Sequence, residues 1–277
     1  EAGESMLSHL IALRKVLPKS HRALRTAAGA MNQTLRALRD DCAEAGNVQA
    51  LHAFPDGLRA PLQKFLHAAD FHLDAPFSLF TPGEADRRRI ELRSAFTSAV
   101  LFARSNGADI FIISGDLFDG DYVTRDTCEL LAGQFASFPT CRFFIAPGNH
   151  DPYNDASPYK RVAFPDNVHI FTGEKERVRL DELGVDVYGV GFTGKTCLSS
   201  PVVGYPALDK GRLNLLVCHG DVGVPLSTNG PITKSEIAAS GFDYIALGHI
   251  HAPSGLLREG GTVYAYPGCL ESRSFDE

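Results

Sequence analysis

The chain has 277 residues, is 44% hydrophobic and carries a net charge of −6, enough apolar material for one large core and at most a small second unit. No run approaches the roughly 18–20 apolar residues of a membrane span, and EAGESMLSHLIALRKVLPKS at the start lacks the charged head and long apolar stretch of a signal peptide, so a cytoplasmic location is expected. The charge is uneven: residues 1–64 hold nine Lys/Arg against six Asp/Glu and the rest 18 against 27, an acidic body that argues against non-specific nucleic-acid affinity unless bound divalent ions supply about four positive charges.

In chain order, residues 5–52 place Leu, Ala and Met at helical spacing with Arg and Lys between them. Pro18 divides this segment into two predicted helices, and Ser20 is placed to cap the second. FPDGLRAP (54–61) is turn-rich and reads as a connector. From Lys64 the pattern alternates between strand and helix. Strands are predicted over 65–69, 109–114, 142–146, 168–171, 185–192, 213–218, 243–248 and 262–266, and helices over 85–105, 124–137 and 232–239. The early half alternates β and α and the later half is mostly β, which predicts a layered α/β domain. Cys42, Cys128, Cys141, Cys197, Cys218 and Cys269 contain no CxxC pair, so free thiols in a reducing compartment are expected.

Five short motifs each follow an apolar, strand-like run and end in an oxygen or imidazole ligand: Asp70 and His72 in ADFH, Asp116 in SGDLFDG, Asn149 in GNHD, His219 in CHGD, and His249 and His251 in GHIH. Each alone has an ordinary explanation. DxH occurs as a chance surface pair, GD after a strand is common turn chemistry, and GNHD reads equally as a turn with a helix cap. Together, at the ends of successive strands of one core, they predict convergence in space. Carboxylate with imidazole suits manganese, iron or zinc better than calcium. Gly115 permits a tight turn before Asp116, a carboxylate suited to bridge two ions about 3.5–4 Å apart. His150 places an imidazole near a bound phosphate. Asp151 reads as either an orienting partner or a loop cap. His67 reads as packed rather than ligating, Arg87-Arg88-Arg89 as a solvated helix face, and Phe77 and Tyr153 as core or rim packing. Asp74, Asp119 and Asp121 crowd the motif loops.

These motifs resemble the calcineurin-like metallophosphoesterase superfamily, whose pattern is D-x-H, G-D, G-N-H-D, a later H, then G-H-x-H. FLHAADFHLDAPF, ISGDLFDGDYV, APGNHDPY, ALGHIHAP and YPGCLESRSFDE are similar, more narrowly, to the SbcD/YhaO-type DNA repair exonucleases. The resemblance runs from about Phe65 to the C-terminus. It implies an αββα sandwich over 64–277; the sequence departs from the family in the helical extension expected over 1–60 and in stopping where a capping region would follow. It also implies a site in which Asp70, His72 and His251 hold one metal, usually Mn2+ in these nucleases with Fe or Zn as alternatives. Asn149, His219 and His249 would hold the other, Asp116 would bridge both, and His150 would contact the scissile phosphate. The function it implies is a Mn-dependent DNA exonuclease or endonuclease domain acting with an SbcC-like or YhaN-like ATPase, as a possible homodimer. An enzyme for small phosphodiesters or nucleotides and a non-catalytic, metal-stabilised scaffold are the alternatives.

Overall fold

Runs of aromatic and β-branched residues form the sheets of the computed structural model, which describes residues 64–271. The helices expected within 1–60 and the final residues 272–277 lie outside the described residues. The first sheet contains β1 (Phe65–Ala68), β2 (Ile110–Ile113), β3 (Arg142–Ile145) and β4 (Val168–Ile170), in that order and all parallel. Parallel neighbours need crossovers, and two of them are α1 (Pro82–Ser105) and α2 (Arg125–Ala136).

The second sheet has six strands in the order β11-β12-β10-β7-β6-β5. Its centre is parallel: β12 (Thr262–Ala265), β10 (Tyr244–Gly248), β7 (Leu213–His219) and β6 (Val185–Gly189). The edges β11 (Leu257–Glu259) and β5 (Glu176–Leu180) pair antiparallel. A small parallel pair, β8 (Asp221–Val222) and β9 (Pro231–Ile232), precedes α3 (Lys234–Ser240).

The period-2 alternation of strand side chains builds the layers. On β2, Ile110 and Ile112 join Phe144, Val187, Leu215, Val217 and Ala246 in a core between the sheets. Phe111 and Ile113 turn the other way, against Leu92, Phe96 and Val100 of α1 and Leu131 and Phe135 of α2. On β7, Leu216 and Cys218 pack with Ile237 of α3 and with Phe242. Helix, sheet, sheet and helix therefore stack in the expected αββα order.

Helix α1 starts three residues before its apolar periodicity. Thr81 and Glu84 form a reciprocal capping box and Pro82 occupies the first turn. The sequence pattern missed β5, β8, β9 and β11, which are short or charge-rich edges such as ERVRL. Among the described residues Cys128, Cys141, Cys197 and Cys218 are free thiols, while Cys42 lies outside them. Among the described residues, no helix is long and apolar enough to cross a membrane.

Candidate metal centre

All five motifs lie at the C-terminal ends of strands β1, β2, β3, β7 and β10. Backbone bonds continue the β1–β2 pairing past the strands: Asp70 N–H donates to Gly115 O (3.1 Å), His72 N–H to Asp116 O (2.9 Å) and Leu73 N–H to Leu117 O (2.9 Å). Among the described residues, four of the six non-glycine residues with positive φ are predicted ligands: Asp70 (54°), His72 (47°), Asp116 (51°) and His249 (104°). Each such conformation costs about 1–3 kcal/mol and persists only where the surroundings impose it. They are concentrated in the loops that carry the five motifs.

The side chains form three overlapping groups whose ligand atoms lie within 4.8 Å of one another: Asp70, His72 and His251; His72, Asp116 and His150; and Asp70, Asp116 and His219. His72 Nε2 is 3.2 Å from His251 Nε2. Asp116 Oδ2 lies between His219 Nε2 (3.5 Å) and His72 Nε2 (3.8 Å). Asn149 Oδ1 is 2.9 Å from His219 Nε2. His249 stands beside His219, with ring centroids 5.2 Å apart, but its Nε2 faces Asp221 Oδ1 at 3.4 Å and it belongs to none of the three groups. Its amide donates to Asp70 Oδ1 (3.1 Å), joining the loop after β10 to the loop after β1.

Hydrogen bonds set the imidazole tautomers. His219 Nδ1 is 3.0 Å from the Ser114 carbonyl, which can only accept, so Nδ1 carries the proton and Nε2 presents a lone pair. Burial, partly offset by the Asp116 charge, lowers the His219 pKa and favours this neutral form. Asp119 Oδ1 lies 2.9 Å from His72 Nδ1 and 2.8 Å from His150 Nδ1, so one carboxylate orients both rings. The sequence places Asp119 among acidic residues that crowd the motif loops and could tune the site electrostatically, without showing that it orients two imidazoles. The residue's signal was its position three residues after Asp116 in SGDLFDG.

Burial opposes ionisation of Asp116. The imidazoles of His219, His72 and His150 around it and a bond from the His150 amide (3.0 Å) outweigh it and hold the carboxyl below its usual range. Asp151 is fully buried and accepts from Gly148 N–H (2.7 Å), Phe118 N–H (3.0 Å) and Tyr159 O–H (2.6 Å). It therefore ties the Asp116 loop to the Asn149 loop.

A divalent cation fits this donor set. His219 Nε2 and Asn149 Oδ1 are both acceptors, and acceptors 2.9 Å apart are favourable only against a shared cation or a proton. Mixed carboxylate, amide and imidazole donors suit Mn, Fe or Zn. Glycines make the close approach possible. A Cβ on Gly115 would lie 2.1 Å from His219 Nδ1, and one on Gly148 would lie 2.2 Å from Asp116 Oδ1. Gly148→Ala should fold yet displace the Asp116 carboxylate. A metal titration that matched wild type would contradict this expectation.

The remaining sequence readings can be placed directly. His67 is packed, bonded to Ser114 Oγ and Tyr244 Oη. Phe77 is buried, and Tyr153 packs on the helix-side core. Arg87 pairs with Glu91, Arg88 with Glu91 and Glu271, and Arg89 with Asp86, so the triple arginine is largely engaged within the fold. Burial lowers the His67 pKa from 6.5 to about 3. Between those values the unfolded chain binds the proton and the folded chain does not. Stability present above pH 6.5 should therefore be lost as pH falls toward 3. His67→Gln should flatten that part of a urea-midpoint-versus-pH curve, and an unchanged slope would assign the acid sensitivity elsewhere.

A family model described as calcineurin-like phosphoesterase matches residues 63–253. The metallophosphoesterase YhaO of Bacillus subtilis, itself described as uncharacterized, is 28% identical over 225 residues, covering 77% of this chain and 54% of that protein. The DNA double-strand break repair protein Mre11 of Saccharolobus solfataricus is 28% identical over 214 residues, covering 74% of this chain and 54% of that protein. The Mre11 of Aeropyrum pernix is 26% identical over 242 residues, covering 78% and 55%. The chain thus spans about half the length of the curated relatives it matches.

Proposed function

The chain belongs to the calcineurin-like phosphoesterase family, a family of metal-dependent phosphoester hydrolases, and on that premise we propose that it is the catalytic domain of a Mn-dependent DNA nuclease. Asp70, His72 and His251 would hold one ion, Asn149, His219 and His249 the other, with Asp116 reaching both. When bound, such a pair acidifies water and neutralises charge on the phosphate for in-line displacement. The carrying observation is the overlap of the three ligand groups through His72, Asp70 and Asp116, which brings donors from both sheets to one place.

The chain's own residues supply the rest. Asp119 accepts from His150 Nδ1 and fixes the direction of that ring. His150, at 37% side-chain exposure, can reach a phosphate arriving from solvent and deliver a proton to the departing oxygen as general acid. Asp151 and the glycines at 115 and 148 keep the ligand loops in register.

The two relatives named for double-strand break repair support DNA as the substrate in this reading. An SbcC-like or YhaN-like ATPase would be the partner in a longer protein, in the cytoplasm. The net charge of −6 favours a second reading, in which the site acts on small phosphodiesters or nucleotides. Duplex binding in Mn2+ at increasing salt separates them. A nuclease should show affinity falling linearly in log–log form, with a slope of about −0.9 per phosphate contacted. Salt-independent or undetectable DNA binding, alongside turnover of a small diester, would favour the second reading.

A further inference from the structure

A chain of polar contacts crosses the apolar core between the two sheets and ends at a predicted metal ligand. Tyr244 on β10, in the second sheet, places its hydroxyl 2.9 Å from His67 Nδ1 on β1, in the first. His67 Nε2 is 2.7 Å from Ser114 Oγ, just after β2. The Ser114 carbonyl then accepts the Nδ1 proton of His219 on β7 at 3.0 Å, returning to the second sheet. Aromatic and aliphatic side chains surround this path. The Phe65 ring lies 5.1 Å from that of Tyr244, and both border the inter-sheet cluster.

Packing alone would be served by an apolar residue at position 67, and buried polar groups cost free energy unless each is matched. Here they are matched. A neutral imidazole has one N–H and one lone pair, and each faces a hydroxyl able to donate or accept. Ser114 is fully buried, and its amide donates to Ala68 O at 3.0 Å. There is little slack around its carbonyl: a Cβ on Gly248 would lie 1.9 Å from it. A shift of Ser114 is thus passed on to His219.

We propose that His67 is a positioning residue for the metal centre: by clamping Ser114 it fixes the carbonyl that holds His219 Nδ1–H, and so aims His219 Nε2 at the site. The proposal rests on the metal-centre reading above. His67 reaches His219 through Ser114, Tyr244 fixes the far side of its ring, and the ring also meets the backbone of Leu247 on β10. The chemistry is that of a second hydrogen bond setting the tautomer and direction of a metal-binding histidine, here with one further residue behind it.

The test uses the full 277-residue chain, Co2+ as the probe, and the variants Ser114→Ala, His67→Phe and His67→Gln. Co2+ uptake is followed by visible absorption, the His219 ring by its 15N resonances, and stability by thermal melting. Ser114→Ala and His67→Phe should weaken one of two Co2+ equivalents by about 10- to 100-fold and leave the other unchanged. In the metal-free variants the His219 ring should shift from the pure Nδ1–H tautomer toward a mixture. His67→Gln, which keeps a donor and an acceptor, should restore both readouts. If His67→Phe does not fold, Ser114→Ala makes the same comparison with a smaller change.

Unchanged Co2+ affinity and unchanged His219 resonances, with only the melting temperature lowered, would overturn the proposal and leave His67 as a staple between the sheets. Failure of the wild-type chain to take up Co2+ would instead overturn the metal-centre reading. The metal-free His219 resonances would still report whether Ser114 and His67 set that ring.

Discussion

Asp116→Asn is expected to abolish hydrolysis and metal uptake together while leaving the apo protein folded. The carboxylate lies within 3.8 Å of imidazoles in both sheets, His72 and His219, and is 1% exposed. Burial alone would push this carboxyl toward its neutral form, but the imidazoles around it and the bond from the His150 amide keep it below its usual range. An amide at this position can still accept the His150 N–H, so the backbone turn keeps its bond, but the charge between the ligand groups is lost. Removing a partner that merely orients a ligand costs about 10- to 100-fold in metal affinity, and removing a group shared by both sites should exceed that. Wild type at about 100 times its Kd for Mn2+ should gain roughly 2.7 kcal/mol of stability, seen as a rise in Tm. The variant should show no such rise. Retained metal-dependent stabilisation would remove Asp116 from the centre of the assignment.

His150→Ala should separate chemistry from metal binding. His150 is held by Asp119 and is the most exposed imidazole among those for which a side-chain exposure bears on the site, at 37% against 21% for His249 and 18% for His251. A positioned general acid contributes about 10²- to 10⁴-fold, and the variant should lose turnover on that scale with metal content intact. The geometry also sets the competing outcome, because His150 lies within 4.8 Å of ligand atoms of His72 and Asp116. Loss of metal together with activity would make it a ligand rather than an acid.

Much of the fold was legible because its strands carry the signal that sequence patterns read best. DIFIIS and LNLLVC are apolar runs with a clean two-residue alternation, and their alternate side chains face opposite cores in the structure. The edge strand ERVRL was not legible, since its charged residues face solvent and mask the apolar positions. The convergence of the motifs could be inferred from their places after strands, because parallel strands align their C-terminal ends. Tautomers could not be inferred. The roles of Asp119 and Ser114 depend on which nitrogen faces which oxygen, and those contacts span 47 residues between His72 and Asp119 and 105 between His219 and Ser114. His249 illustrates the same limit. GHIH implies two convergent imidazoles but not that His249 stands beside His219 with its Nε2 3.4 Å from Asp221 Oδ1 while His251 joins Asp70 and His72.

The measurement that bears most directly on the central claim is phosphodiester hydrolysis by the full chain in Mn2+, wild type beside His150→Ala, on labelled duplex DNA and on bis-p-nitrophenyl phosphate. Wild type should cleave both substrates, chelation should stop it, and His150→Ala should be defective on both while still binding Mn2+. Cleavage of the small diester alone would move the substrate assignment to small phosphodiesters. Wild-type protein that binds Mn2+ and hydrolyses neither substrate would contradict the account.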